Sequence, residues 1–171
     1  MGTVDPANLG RVSSLYYHLA GATYAELFEA WVVAETMIAD LAAKNPDREA
    51  VRAALRTYID QPDENASEVS IDEFVASHGQ FHVVLGSLTR NKVLQLSLMV
   101  MGQIITHHIV FNADPRAART SIEEDHRVIA QAVSAGHANK AREVMARHIH
   151  SVAAFYRAQI GDQMHDYIEW R

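Results

Sequence analysis

Four histidines have the spacing to bind a metal ion together. His78 and His82 are four residues apart in a segment, Ser70 to Leu88, whose apolar residues recur at helical spacing, so both imidazoles lie on one helix face. His126 lies on the apolar face of a second predicted helix, and His148 on that of a third. Neutral imidazole is the commonest nitrogen ligand of transition metals, and this pattern favours a site for one divalent ion such as zinc or nickel; copper or iron would also accept it.

A buried histidine does not by itself indicate a metal site. A single imidazole on an apolar helix face is more often a core residue that is hydrogen-bonded to a neighbour. Four such residues would each need a polar partner, because a buried polar group without one costs free energy. One shared cation would satisfy all four at once. The alternative is four separately hydrogen-bonded core histidines, and the residue pattern leaves both interpretations open.

Capping-box pairs and helix-breaking residues predict where the helices that contain these histidines begin and end. Three Ser/Thr-x-x-Glu pairs have the spacing of a capping box at a helix start: Thr23 with Glu26, Ser70 with Glu73, and Thr120 with Glu123. Helices are predicted over about residues 9–19, 23–44, 47–61, 70–88, 91–112, 120–135 and 137–159. No strand pattern or repeat interrupts them. The predicted fold is all-α, an antiparallel bundle of six or seven helices around one core.

Composition narrows the class of protein. The 171 residues, 49% hydrophobic and 21% charged, are typical of one soluble globular domain. The absence of cysteine excludes disulfides and thiolate metal sites, and a formal charge of −6 disfavours nucleic-acid binding by this chain itself. Polar residues interrupt the most apolar helix, so no membrane span is predicted. The first residues lack a basic leader and an apolar run, which predicts a cytoplasmic protein.

Two segments of the chain resemble a known family. FHVVLGSLTRN and EEDHRVIAQAVSAGHANKAREVMARHI are similar to the effector-binding domain, called FCD, of FadR-type GntR transcriptional regulators. The matching residues are Phe81, His82, Leu85, Asn91, His126, Ile129, Ala132, Ala141, Met145, His148 and Ile149. LFEAWVVAETMIADLAA also resembles the first long helix of that family. The helix pattern divides the chain into a lead-in with a short helix over 1–21, a bundle over 22–160 and a frayed tail or docked last turn over 161–171, and the resemblance implies that the bundle binds an effector.

The resemblance also implies a metal ion bound by one aspartate and three histidines. His82, His126 and His148 match the three histidines, whereas His78 stands where the family has its aspartate. Four neutral ligands in place of three plus a carboxylate favour zinc, nickel or copper over manganese or magnesium. His78 is therefore expected to complete a four-histidine site.

A small-molecule effector is expected beside that metal, with a carboxylate or other oxygen facing it. Family members that bind small carboxylates commonly have an arginine where Trp31 stands, while Glu35 matches the family pattern. An indole in place of a bidentate cation adds an apolar wall, which predicts a less acidic or more aromatic effector, or a carboxylate bound mainly by the metal. Alternatively, Trp31 is only a core residue. Gln103 and His107 of the predicted central helix are further candidate effector contacts.

The implied function is a metal-dependent sensor that changes DNA binding by a homodimeric regulator. Nothing in this chain resembles the winged helix-turn-helix of the family, so DNA contact is expected to come from an N-terminal domain outside this chain. One alternative is a mononuclear metalloenzyme that hydrolyses a substrate with a metal-activated water. The sequence does not favour this alternative, because it has no H-E-x-x-H motif and no candidate general base beside the ligands. Another alternative is a dimerisation module whose metal only joins the helices.

Overall fold

The computed structural model describes residues 6–60, 70–112 and 115–170, and this part of the chain is a bundle of seven α-helices without a strand. The helices are α1 (Pro6–Leu19), α2 (Tyr24–Ala43), α3 (Arg48–Ile59), α4 (Ile71–Leu88), α5 (Lys92–Asn112), α6 (Arg119–Ser134) and α7 (Ala138–Ile160). Short 3₁₀ helices at Pro115–Ala118 and Gly161–His165 precede α6 and follow α7. The prediction of an all-α helical bundle is confirmed. Within the described ranges, none of these helices is both long and apolar enough to cross a membrane.

Helix α2 lies at the centre of the bundle, because it packs against α4, α5, α6 and α7. It begins with the predicted capping box: the Thr23 backbone N–H donates to Glu26 Oε2 (2.8 Å), and the Glu26 N–H donates to Thr23 Oγ1 (3.3 Å). These two bonds satisfy backbone donors that the first helical turn leaves unpaired. Because other helices enclose α2 on most sides, a polar side chain on α2 either has a partner inside the core or faces a cavity.

The starts of α4 and α6 differ from one another. Helix α4 has its predicted capping box, with the Ser70 backbone N–H donating to Glu73 Oε2 at 3.0 Å. The capping box predicted at Thr120 is wrong, because the preceding 3₁₀ helix leads directly into α6 and Thr120 already lies inside that helix. Glu123 instead accepts from Arg119 Nε at 2.6 Å. The residues of α6 that face the core are unaffected by this earlier start.

The ends of the described chain pack onto the bundle. Helix α1 lies against α5 and starts before the predicted residue 9. After α7, Met164 and Ile168 are almost fully buried. The backbone N–H of Ile168 donates to the carbonyl of Ala22 at 2.9 Å, and an isolated bridge joins Thr23 with Tyr167. Residues 161–170 are therefore docked on the start of α2, which is the second of the two outcomes expected for them.

One arginine joins the C-terminal ends of α2 and α6. The Arg48 guanidinium donates to the carbonyl oxygens of Ala43 (2.9 Å), Asn45 (3.1 Å), Val133 (2.7 Å) and Ser134 (2.8 Å). These acceptors are carbonyls that a helix end leaves without an intrahelical partner, and the helix dipole there favours a cation. Arg48 therefore stabilises the arrangement of the two helices that carry Glu35 and His126.

We expect Arg48→Ala to lower the free energy of unfolding by about 2 kcal/mol, because it removes the side-chain donor from four carbonyls. Among the described residues, only the Val133 carbonyl has a backbone donor as well, the Gly136 N–H. Urea denaturation would measure the change. Arg52→Ala is the matched control, since Arg52 is an exposed residue one turn later on the same helix. Equal stability of the two variants would contradict a stabilising role for the guanidinium.

Candidate metal centre

The four predicted histidines converge at one point of the core. His78 and His82 come from α4, His126 from α6 and His148 from α7. One ring nitrogen of each lies within 4.8 Å of the corresponding nitrogen of every other. The centroids of all six ring pairs are 4.8–5.8 Å apart. One helix near the middle of the chain and two consecutive helices of its second half thus bring four imidazoles together.

Each of these rings has a buried nitrogen without a hydrogen-bond partner among the described residues. The atoms are Nδ1 of His78 and Nε2 of His82, His126 and His148. Buried polar atoms in folded proteins are normally paired, because desolvation without a partner costs free energy. Four imidazoles around a zinc-like ion, with metal–nitrogen bonds of about 2.0–2.1 Å, would have ring centroids roughly 5 Å apart. Both the unpaired nitrogens and the ring spacing therefore fit a divalent transition metal.

Burial favours the neutral, metal-binding form of His78, His126 and His148. Burial lowers the pKa of His78 and of His126 well below the ordinary histidine value, and the neighbouring imidazoles lower it further. Burial also lowers the pKa of His148, although the adjacent Asp125 opposes that effect. At neutral pH these imidazoles consequently present lone pairs and no competing protons.

A carboxylate oxygen lies beside Nδ1 of two of the rings. Asp125 Oδ2 lies 3.3 Å from His148 Nδ1, and this hydrogen bond is the main reason that the pKa of Asp125 is lowered. The ionised carboxylate makes Nδ1 the donor and leaves Nε2 of His148 for the cluster. Glu35 Oε1 lies 2.7 Å from His82 Nδ1, an ion-pair distance without hydrogen-bond alignment. Carboxylates in these positions are typical of metal-binding histidines.

Sequence reasoning missed the role of Asp125. The residue directly precedes His126, so on α6 it points roughly 100° away from the histidine, towards α7 and Arg147, whose guanidinium is 3.6 Å away. The sequence did contain a signal for this role, because a carboxylate commonly accepts a hydrogen bond from a metal-binding histidine and Asp125 is next to a candidate ligand. Which histidine it would orient depends on the packing of α6 on α7.

We expect Asp125→Asn to weaken metal binding by about 10- to 100-fold, because the amide lacks the charge that fixes the His148 tautomer. Competition with a chelator of known affinity would measure the dissociation constant. Glu124→Gln is the control, because Glu124 is exposed on the same helix turn and bonds Arg127 instead. An unchanged affinity in Asp125→Asn would contradict the orienting role.

A cavity of about 520 Å³ adjoins the cluster and is lined by His78 and His82. Three of the four candidate effector contacts line it, namely Trp31, Glu35 and Gln103. His107 does not, because the cavity-facing side of α5 centres on Gly102 and the exposed His107 lies beyond its edge. The assignment of His107 as an effector contact stays a prediction. Sequence reasoning did not identify Tyr156 and Thr106, which also contribute to the wall.

Trp31 is both a core residue and a wall of this cavity. Its ring is 4% exposed and lies edge-on to Phe28, with centroids 5.7 Å apart. Its indole Nε1–H donates to Glu35 Oε1 at 3.0 Å, while Glu35 Oε2 has no partner among the described residues. Glu35 is completely buried. Trp31 thus fixes one oxygen of a buried carboxylate and leaves the other unpaired.

Comparison with known proteins gives one match. The family model described as the FCD domain matches residues 26–151, a range that includes the four histidines, Trp31 and Glu35. No curated protein and no solved structure matches the chain.

Proposed function

The chain belongs to the FCD domain family, whose members are the effector-binding domains of FadR-type GntR regulators, and we propose that it senses its effector through a bound transition metal. FCD domains are regulatory and not catalytic. The observation that carries the metal dependence is the set of four unpaired imidazole nitrogens beside the cavity. None of the described residues supplies those nitrogens with a hydrogen-bond partner.

The proposed metal is zinc or nickel, held by His78, His82, His126 and His148. Four neutral nitrogen ligands suit these borderline ions better than manganese or magnesium, which prefer carboxylate oxygens. The ion would supply a Lewis-acidic position for an oxygen of the effector. Asp125 orients the His148 ring through a hydrogen bond, Glu35 lies against His82, and Trp31 with its apolar neighbours lines the cavity beside them.

The proposed switch acts through helix packing. The cavity is lined by residues of α2, α4, α5, α6 and α7, so an effector inside it contacts most of the bundle. Such a ligand shifts the arrangement of these helices only as far as its affinities for the two arrangements differ. In the proposed regulator, a homodimer passes that shift to a DNA-binding domain N-terminal to this chain. A cytoplasmic location remains part of the proposal.

A cavity-filling substitution tests the sensor proposal. An added Cβ at Gly102 would meet no atom within 4 Å, and Gly102 lines the cavity. We expect Gly102→Leu to occupy the effector space while leaving all four histidines in place. Isothermal titration of the zinc-loaded protein with benzoate, phenylacetate and benzyl alcohol should then give no binding in the variant, and elemental analysis should find its metal retained.

Gly102→Ala is the matched control, because a methyl group fills little of the cavity. We expect this variant to bind the same probes as the wild type. Removal of metal with EDTA should abolish binding in both. Probe binding that survives EDTA, or that is equal in Gly102→Leu and Gly102→Ala, would contradict a metal-dependent sensor using this cavity.

A further inference from the structure

Glu35 is a completely buried carboxylate at the wall of the cavity, and only one of its oxygens has partners. Oε1 accepts from the Trp31 indole and lies against His82. Oε2 is buried without a partner among the described residues. A buried carboxylate oxygen that lacks a donor costs free energy, and a ligand that brings a donor recovers it. Glu35 therefore has an unused acceptor in the ligand-binding space.

The other charged residues that line the cavity also favour a ligand that donates a hydrogen bond. Apart from the histidines, the described residues with charged side chains that line it are Glu35 and Asp72, and none of the described lysines or arginines does. An anionic group placed at Glu35 would face a like charge beside a completely buried side chain, where the low dielectric strengthens such repulsion. A cationic group there would gain a charge-assisted hydrogen bond. The charge pattern thus selects for a donor, and against a carboxylate, at this end of the cavity.

The walls near Glu35 are aromatic and apolar. Trp31 and Tyr156 both line the cavity, and Phe28 packs between them with ring centroids 5.7 and 6.4 Å away. Aromatic faces attract ammonium groups through their quadrupole, most strongly at tryptophan. Leu98, Ile105 and Val152 provide apolar surface for the rest of a ligand. These features suit an amine attached to an apolar or aromatic body.

We infer that the effector is an amine whose protonated nitrogen binds Glu35 Oε2 beside Trp31, with its apolar body in the cavity. The inference rests on the proposed function, since it assigns the effector to the same cavity. It makes Glu35 a specificity-determining residue in addition to its contact with His82. Trp31 acts as a positioning residue, because its indole holds Oε1 and so directs Oε2 to the ligand.

Matched probes test this inference. Isothermal titration of the zinc-loaded protein would compare 2-phenylethylamine, 2-phenylethanol and 3-phenylpropionate, which share a phenyl body and differ in the headgroup. We expect the amine to bind most tightly in the wild type. In Glu35→Gln its affinity should fall by at least about tenfold, the effect of removing a charged hydrogen-bond partner. The affinity of the carboxylate should stay equal or rise.

Glu29→Gln is the control, because Glu29 is exposed on the same helix; it should behave as the wild type. Zinc content of every variant is measured in parallel. An amine affinity that is unchanged in Glu35→Gln, or binding by the carboxylate alone in zinc-loaded protein, would overturn the inference and leave the metal-dependent sensor intact. Failure of all three probes to bind overturns the inference, and failure of the wild type to bind zinc overturns the proposed function as well.

Discussion

We expect the purified protein to bind about one zinc or nickel ion per chain, and His148→Ala to lose it, because the imidazoles of the cluster together supply the nitrogen ligands of one such site. His148 is fully buried and its Nε2 has no other partner within the described chain. Binding only to the folded state stabilises it, by about 4 kcal/mol when the free ion is at 1,000 times the dissociation constant. For a chain of this length we expect the melting temperature to rise by about 10 °C. Elemental analysis and thermal denaturation with and without EDTA measure both effects.

His150→Ala provides the control for this experiment, because His150 is exposed and lies two residues after His148 on α7. It should retain the metal and the full increase in melting temperature. His82→Ala should behave like His148→Ala. The wild type could hold no metal after reconstitution, or His148→Ala and His150→Ala could have equal metal content. Either result would mean that the four imidazoles are core residues and not ligands.

We expect the metal-free protein to lose stability as the pH falls below about 6.5, the ordinary histidine value. Burial lowers the pKa of His78 and of His126 well below that value in the folded state. Below pH 6.5 the unfolded chain binds protons at these residues and the folded chain does not, so acid favours unfolding. For each of these residues, the free energy of unfolding falls by about 1.4 kcal/mol per pH unit of acidification until the pH reaches the folded-state pKa.

Urea denaturation of EDTA-treated protein between pH 7.5 and 5 measures this dependence. His126→Leu removes one of the three histidines whose pKa burial lowers, and it should reduce the slope by roughly a third to a half. His137→Leu is the control, because His137 is exposed, and its slope should match that of the wild type. Stability that is constant over this pH range, or a slope unaffected by His126→Leu, would contradict neutral burial of the cluster.

The helices were largely predictable because their signals are local. The Thr23 and Ser70 capping boxes form as predicted, since each depends only on four consecutive residues. The failure at Thr120 has a local cause that the pattern does not reveal, because a 3₁₀ helix precedes α6 and moves its start to Arg119. The docking of residues 161–170 on α2 depends on contacts between distant segments. Pattern reasoning could only offer it as one of two outcomes.

In the candidate site, too, some features follow from local sequence patterns and others depend on how the helices pack. Helical periodicity placed His78, His82, His126 and His148 on inward faces, and the structure brings them together, although their role as ligands stays a prediction. Periodicity could not separate Gln103, which lines the cavity, from His107, which does not. Both residues belong to α5, and the side that faces the cavity is decided by how α5 packs on α2 and α4.

The sequence by itself determined the helices, the inward direction of four imidazoles and the absence of thiolate ligands. Only the tertiary structure decided that one nitrogen of each ring reaches a common point, that Asp125 and Glu35 stand behind two of them, and that Glu35 Oε2 is left unpaired. The physical reason is the range of the forces involved. Periodicity and capping act within a few turns of one helix, whereas the pairing of buried polar atoms depends on which helices pack together.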